Sequence, residues 1–230
     1  MKTDSQLHQD VLETLSFEPL LDASKIAIAV KDGVVTLRGE VPSYAEFWTT
    51  EHVTKNVAGV RAVAQEIKVV LPKQHVRNDA DIAEAAANAL QGDVIVPGGI
   101  KVKVTDGWVT LSGETKWQYQ RKHAESAVRN LNGVQGVTNM IVIKTHPTTY
   151  DVSAKIQNAF YRQAGIDASR VSVEVNDQTA ILHGTVGTLA EREDAEDAAW
   201  MADGVDTVRN EIVVDPELAK VGMIESQAGI

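Results

Sequence analysis

Residues 32–39 read D-G-V-V-T-L-R-G, residues 106–113 read D-G-W-V-T-L-S-G, and residues 177–184 read D-Q-T-A-I-L-H-G. The closing glycines Gly39, Gly113 and Gly184 lie 74 and 71 residues apart. A second marker keeps the same offsets: Gly59-Val60, Gly133-Val134 and Gly204-Val205. Two independent markers at matching spacing mean that one structural unit is written three times along the chain, the signature of a repeat architecture.

Ahead of each motif, apolar residues alternate with polar or small ones. They are Ile26, Ile28 and Val30, then Ile100, Val102 and Val104, then Val171, Val173 and Val175. Period two is the mark of a half-buried strand. A second strand follows inside the motif, with Val35/Leu37, Val109/Leu111 and Ala180/Leu182 directed inward. Asp32-Gly33 and Asp106-Gly107 predict two-residue hairpin turns, in which glycine supplies the positive φ. The third copy has Asn176-Asp177-Gln178 instead. Asn and Asp tolerate left-handed backbone, so a hairpin is expected there too, its turn type open.

Between the two glycine markers the spacing becomes i, i+3, i+4, i+7. It falls at positions 50, 53, 54 and 57, at Ala124, Ala127, Val128 and Leu131, and at Ala195, Ala198, Ala199 and Ala202. That pattern is one helix face laid on a sheet, expected to end at Gly59, Gly133 and Gly204 as C-caps. Third strands are expected over 63–70, 137–143 and 208–214. Another amphipathic helix precedes each hairpin, carrying Leu7, Val11 and Leu15, then Ile82, Ala86 and Leu90, then Val152, Ile156 and Phe160. The predicted class is α+β: three tandem αββαβ modules, each a three-stranded mixed sheet packed by two helices. A right-handed crossover makes the second and third strands parallel. The expected boundaries are 1–72, 77–145 and 149–215, with linkers near 71–77 and 144–149 and a tail over 216–230.

The D-G-x-V-T-L-x-G hairpin, the helix after it, the Gly-Val pair and a closing V-x-N-x-I-x-V strand together resemble the BON domain. The last element reads V-T-N-M-I-V at 137–142 and V-R-N-E-I-V at 208–213, with Gln65 in the asparagine position of the first copy. The resemblance covers the chain up to the tail, and three copies resemble the osmotically-inducible-like, three-BON group of bacteria. It implies a non-enzymatic module that associates with phospholipid or other cell-envelope components under osmotic or other stress. Many members are periplasmic. It carries over no catalytic residue and no cofactor. The motif residues Asp32, Gly33, Gly39, Gly59, Asp106, Gly107, Gly113, Gly133, Gly184 and Gly204 are read as structural: turn, cap and core.

Composition agrees with a binding or scaffolding role. The formal net charge of −10 argues against a nucleic-acid binder. There are no cysteines, and the six histidines are scattered without metal-ligand spacing, so neither a metal site nor a catalytic centre is expected. The opening MKTDSQLHQD has no apolar segment of a secretory signal, which predicts a cytoplasmic protein, with envelope association left open. No run of apolar residues is long enough for a spanning helix.

Aligning the copies picks out side chains that the core does not explain. Trp48 aligns with Lys122 and Glu193, Trp200 with Lys55 and Arg129, Trp117 with Ser43 and Thr188, and Trp108 with Val34 and Thr179. Each indole has two readings, packing one module on the next or facing a ligand. Charge is uneven as well. Residues 76–147 hold eight Lys/Arg against seven Asp/Glu, and residues 148–215 hold five against thirteen. The basic set Lys101, Lys103, Lys116, Arg121, Lys122 and Arg129, with Trp117, is the candidate lipid or partner surface; Trp48, Trp108 and Trp200 are candidate inter-module or partner aromatics. Glu191, Glu193, Asp194, Glu196 and Asp197 make the matching helix of module three acidic. Three functions follow. The chain docks on anionic phospholipid or an envelope protein, or it self-assembles into a homo-oligomer through the complementary faces of modules two and three, or it holds a small molecule in an inter-module cleft.

Overall fold

A computed structural model describes residues 2–144, 152–162, 168–215 and 218. Module one runs α1 (Asp4–Phe17), β1 (Ile26–Lys31), β2 (Val34–Val41), α2 (Tyr44–Lys55) and β3 (Ala62–Val69). Module two repeats this as α3 (Asp79–Gly92), β4 (Lys101–Thr105), β5 (Trp108–Thr115), α4 (Gln118–Arg129) and β6 (Gly136–Ile143). Module three has α5 (Val152–Arg162), β7 (Val171–Asn176), β8 (Thr179–Val186), α6 (Leu189–Trp200), β9 (Thr207–Asn210) and β10 (Val213–Val214). The chain is α+β, with one mixed sheet per module and the second strand always in the middle. Hairpin strands are antiparallel, Val30 opposite Val35 and Val104 opposite Val109. The crossover returns parallel, Val109 beside Val137 and Ala180 beside Val208. By their contacts the residues fall into two compact units. One comprises Met1–Gly39, Thr49–Glu66 and His146–Ile230, the other Glu40–Trp48 and Ile67–Thr145.

Local chemistry explains the hairpins. Asp32 and Gly33 both take positive φ, at 52° and 78°, and Asp106 and Gly107 do the same at 51° and 75°, the geometry of a type I′ turn. In module three Asp177 has φ 56° while Gln178 does not join it, so the hairpin survives with a different turn. A brace not legible in the repeat holds the first two turns. The carboxylate of Asp4, first residue of α1, accepts the Asp32 and Gly33 amides at 3.0 and 3.4 Å, and Asp79 of α3 accepts those of Asp106 and Gly107 at 2.8 and 2.9 Å.

Each sheet packs its two helices on one face and leaves the other open. In module two Ile82, Ala86, Ala124, Val109 and Leu111 are completely or almost completely buried, and in module three Ile156, Phe160, Leu182, Ala195 and Ala198 are. Leu7, Val11, Leu15, Val35, Leu37 and Val60 do the same in module one. Two of the inward positions of α2 are threonines, Thr50 and Thr54, both fully buried. The Thr54 hydroxyl donates to the Thr50 carbonyl at 2.7 Å, which satisfies it without a partner outside the helix.

Three expectations are corrected. The crossover helices end at Lys55, Arg129 and Trp200, four residues before Gly59, Gly133 and Gly204. Those glycines, at φ 109°, 93° and 99°, sit in a further turn closed by Val60, Val134 and Val205 amides on the carbonyls of Val57, Leu131 and Ala202. The third strand of module three is broken between β9 and β10, both beside β8. The strand of module two begins at Lys101, not at Ile100. Most of the second linker and nearly all of the tail lie outside the described residues.

Candidate binding surfaces

The closing strand motif has a structural task. Asn139 donates its amide to the Arg121 carbonyl at 2.9 Å and to the Glu125 carboxylate at 3.3 Å, and its side-chain oxygen accepts the Ile141 amide at 3.2 Å. Arg121 returns a bond to the Asn139 carbonyl at 3.2 Å. Asn210 does the same with Arg192, Glu196 and Ile212. The strand is thus tied to the crossover helix by an Arg-Glu-Asn set. In module one the arginine position is Phe47 and the asparagine position Gln65, while Glu51 remains and pairs instead with Lys55 at 2.9 Å. Arg121, read from the sequence as a surface cation, therefore turns into its own module, and its Nε is buried.

Arg129 is also withdrawn from solvent. Its guanidinium lies 3.6 Å from the ring centre of Trp48 on α2, a cation–π contact. Burial works downward on its pKa and wins over Glu125 and Tyr44, which work upward. Tyr44, stacked on Phe47 at 5.6 Å between ring centres, packs against the apolar cluster of module two. Trp48 thus makes a contact with module two. Trp200 packs against the cluster of its own module with its indole nitrogen buried. Lys55 reaches Glu193 of α6 at 2.9 Å. Burial pulls the Lys55 pKa down, and hydrogen bonds to Glu193 and Glu51 outweigh it, leaving the group above the usual lysine value.

The remaining candidates divide between two sides of module two. Lys122 is exposed on α4, on the helix side, and Lys116, in the bend between β5 and α4, is exposed 5.2 Å from the ring centre of Trp117. Lys101 and Lys103 point the other way, because their neighbours Val102 and Val104 pack against the core and strand residues alternate faces. The single basic surface expected from the sequence is therefore split across the sheet.

On that open face, strand register assembles a group the sequence did not announce. Trp108 lies beside Gly136, Thr110 beside Thr138, Ser112 beside Met140 and Glu114 beside Val142, with Lys103 opposite Thr110 and Lys101 opposite Ser112. Trp108, Met140 and Val142 are 50%, 61% and 55% exposed. The indole donates to the Thr138 hydroxyl at 2.7 Å. Its ring covers Gly136, where a Cβ would come within 2.5 Å of it. Lys144 pairs with Glu114 at the end of the face. Modules one and three differ. Module one presents Ala27, Ala29, Ala62 and Ala64, with Val34 in the place of Trp108, Lys31 and Lys68 at the ends, and Arg38 bound to Glu66 at 2.7 Å. Module three presents Glu174 and Glu211, the latter held by Arg209 at 2.7 Å and His183 at 3.2 Å. The signal available in sequence was the pair Met140 and Val142, missed because the third strand was read for its core face alone.

An open cleft of about 540 Å³ lies beside the first linker, lined by Leu71, Val76, Arg77, Asp79, Asp106 and Gln135 among others. Two of its charged side chains are already engaged, Asp79 by the turn amides and Arg77 by the Gln74 and Val76 carbonyls. Among the described residues no helix is long and apolar enough to cross a membrane, and no cluster of three metal-ligand side chains occurs.

A BON-domain family model matches residues 3–70, 78–145 and 150–216. The chain is similar to osmotically-inducible protein Y of Escherichia coli K12, 31% identical over 146 residues that span 61% of this chain and 73% of that protein. Among solved structures it is similar to CdsD, a structural protein of the type III secretion system of Chlamydia trachomatis, at 15% identity over 96% of this chain and 97% of that one, with a TM-score of 0.26. The C-terminal domain of CdsD matches at 14% identity over 94% and 100% of the two chains, again with a TM-score of 0.26.

Proposed function

The chain belongs to the BON-domain family, with three copies in tandem, and from that premise we propose that it is a non-enzymatic protein that docks on anionic phospholipid through the open sheet face of module two. One observation carries this reading. Of the three open faces, this one carries an exposed indole and thioether, Trp108 and Met140, with Val142, beside the cations Lys101 and Lys103, for which the structure shows no ion pair among the described residues; module one sets only the smaller Val34 and Val70 beside its lysines. Indole and thioether chains suit the boundary between headgroups and acyl chains. A lysine near an anionic leaflet contributes about 1 kcal/mol. The name of the Escherichia coli relative supports a role under osmotic stress. Self-assembly through the helices of modules two and three is less favoured, because Arg129 and Glu193 are taken up by contacts within the chain.

Flotation with vesicles of neutral lipid, and with vesicles containing phosphatidylglycerol, tests the proposal. Wild type floats with the anionic vesicles and is released by salt. The double variant K101Q/K103Q removes two cations, about 2 kcal/mol, and lowers the partition coefficient roughly 30-fold. K122Q, on the helix side, floats as wild type does. Loss of flotation in the helix-side variant with retention in the sheet-side variant would show that the wrong face has been chosen, and no flotation of wild type would remove the lipid reading.

A further inference from the structure

The two inter-module contacts described above use equivalent positions. In the repeat, Trp48 corresponds to Glu193, and Lys55 corresponds to Arg129. Trp48 of module one meets Arg129 of module two, and Glu193 of module three meets Lys55 of module one. In both cases the early part of one crossover helix grips the last turn of another. The chemistry differs. At the first joint an indole covers a guanidinium, and Tyr44 adds apolar contact with the cluster of module two. At the second, an ammonium meets a carboxylate, and the apolar cluster of module three is drawn from that module alone, from Val152 to Val214.

We propose that the Lys55–Glu193 contact is a salt-released latch between modules one and three. Two features suit it to opening. Lys55 holds a second carboxylate, Glu51 on its own helix, also at 2.9 Å. Release from Glu193 therefore does not strand a half-buried cation, and the desolvation penalty of an unpaired charge is avoided. Glu193 is exposed and regains water. The anion that acts on Arg129, Glu125, lies on its own helix, so screening it does not part the Trp48–Arg129 joint, which stays closed under the same conditions. The latch is independent of the lipid reading, since none of its residues lies on the open sheet face.

The sign of the salt response isolates the latch. Residues 1–75 hold eight Lys/Arg against ten Asp/Glu, and residues 148–215 hold five against thirteen, so screening of overall charge would draw the two modules together. A latch opens instead. The chain has no cysteine, and cysteines placed at the exposed positions Ala27 and Ser172 can carry spin labels whose distance distribution is read by pulsed electron resonance. Between about 50 and about 500 mM salt the screening length falls to a few ångström, and the ratio of closed to open molecules falls by up to about fivefold, the range of one surface pair. E193Q shows the longer, broader population at low salt, while E51Q keeps the closed population and its salt response; circular dichroism melts verify that both are folded. The proposal is overturned by a distribution that is unchanged or contracts with salt, by E193Q superimposing on wild type, or by E51Q opening as E193Q does.

Discussion

Replacing Asn139 with alanine removes three hydrogen bonds at once: the amide bonds to the Arg121 carbonyl and the Glu125 carboxylate, and the acceptor for the Ile141 amide, at 2.9, 3.3 and 3.2 Å. A net hydrogen bond contributes about 0.5–1.5 kcal/mol, and a part-buried group left without its partner costs toward the upper end. The sum is roughly 2–4 kcal/mol of local stability in module two, or roughly 30- to 700-fold in the opening equilibrium. Because three modules on one chain need not unfold together, the assay is native-state amide hydrogen exchange on the full protein, read at peptides covering β6 and α4. N139A accelerates exchange there and leaves the peptides of β9 and α6 unchanged, and N210A does the reverse. N139D is a sharper control. It keeps an acceptor for Ile141 but sets a carboxylate beside Glu125, so it is as damaging as alanine or worse. A change under threefold in N139A, or an N139D protein that exchanges like wild type, would refute the claim that this asparagine ties strand to helix.

Three further outcomes are expected. A Cβ at Gly39 or Gly184 would lie 2.0 Å from the carbonyl oxygen of Lys25 or Arg170, whereas at Gly113 the nearest atom is 3.0 Å away; G39A and G184A therefore lower the unfolding midpoint more than G113A, although all three share a positive φ. G136A drives the Trp108 ring off its seat and breaks its bond to Thr138, which acrylamide quenching registers as a more accessible indole. The hydrogen bond from Arg38, then its charge, holds Glu66 below the usual glutamate pKa. The stability that pair contributes is present above the ordinary glutamate range and is lost as pH falls through the lowered value. R38Q returns the Glu66 titration toward its ordinary position in an NMR titration, with little change in stability at neutral pH because the pair is exposed.

Much of the site was out of reach of the sequence for a common reason. Arg121, Lys122 and Arg129 stand close together in the chain and look alike, yet Arg121 is bound to Asn139, Arg129 lies on Trp48 and Lys122 is the most exposed of the three. Lys101 and Lys103 were grouped with them although a sheet stands between. Trp48 stands out in the alignment of the copies, but the guanidinium on its ring belongs to a residue 81 positions away, and no local pattern names it.

What the sequence determined by itself is the repeated module. Asp-Gly turns, period-two strands and a 3.6-period helix are encoded within a few residues, and their recurrence at matching offsets makes each copy evidence for the others. Tertiary structure alone decided which charges remain available. A cation becomes a strap, an anchor, a latch or a docking group according to what the packing of distant elements brings within about 4 Å of it, and that distance is set by register and helix placement rather than by neighbours in the chain.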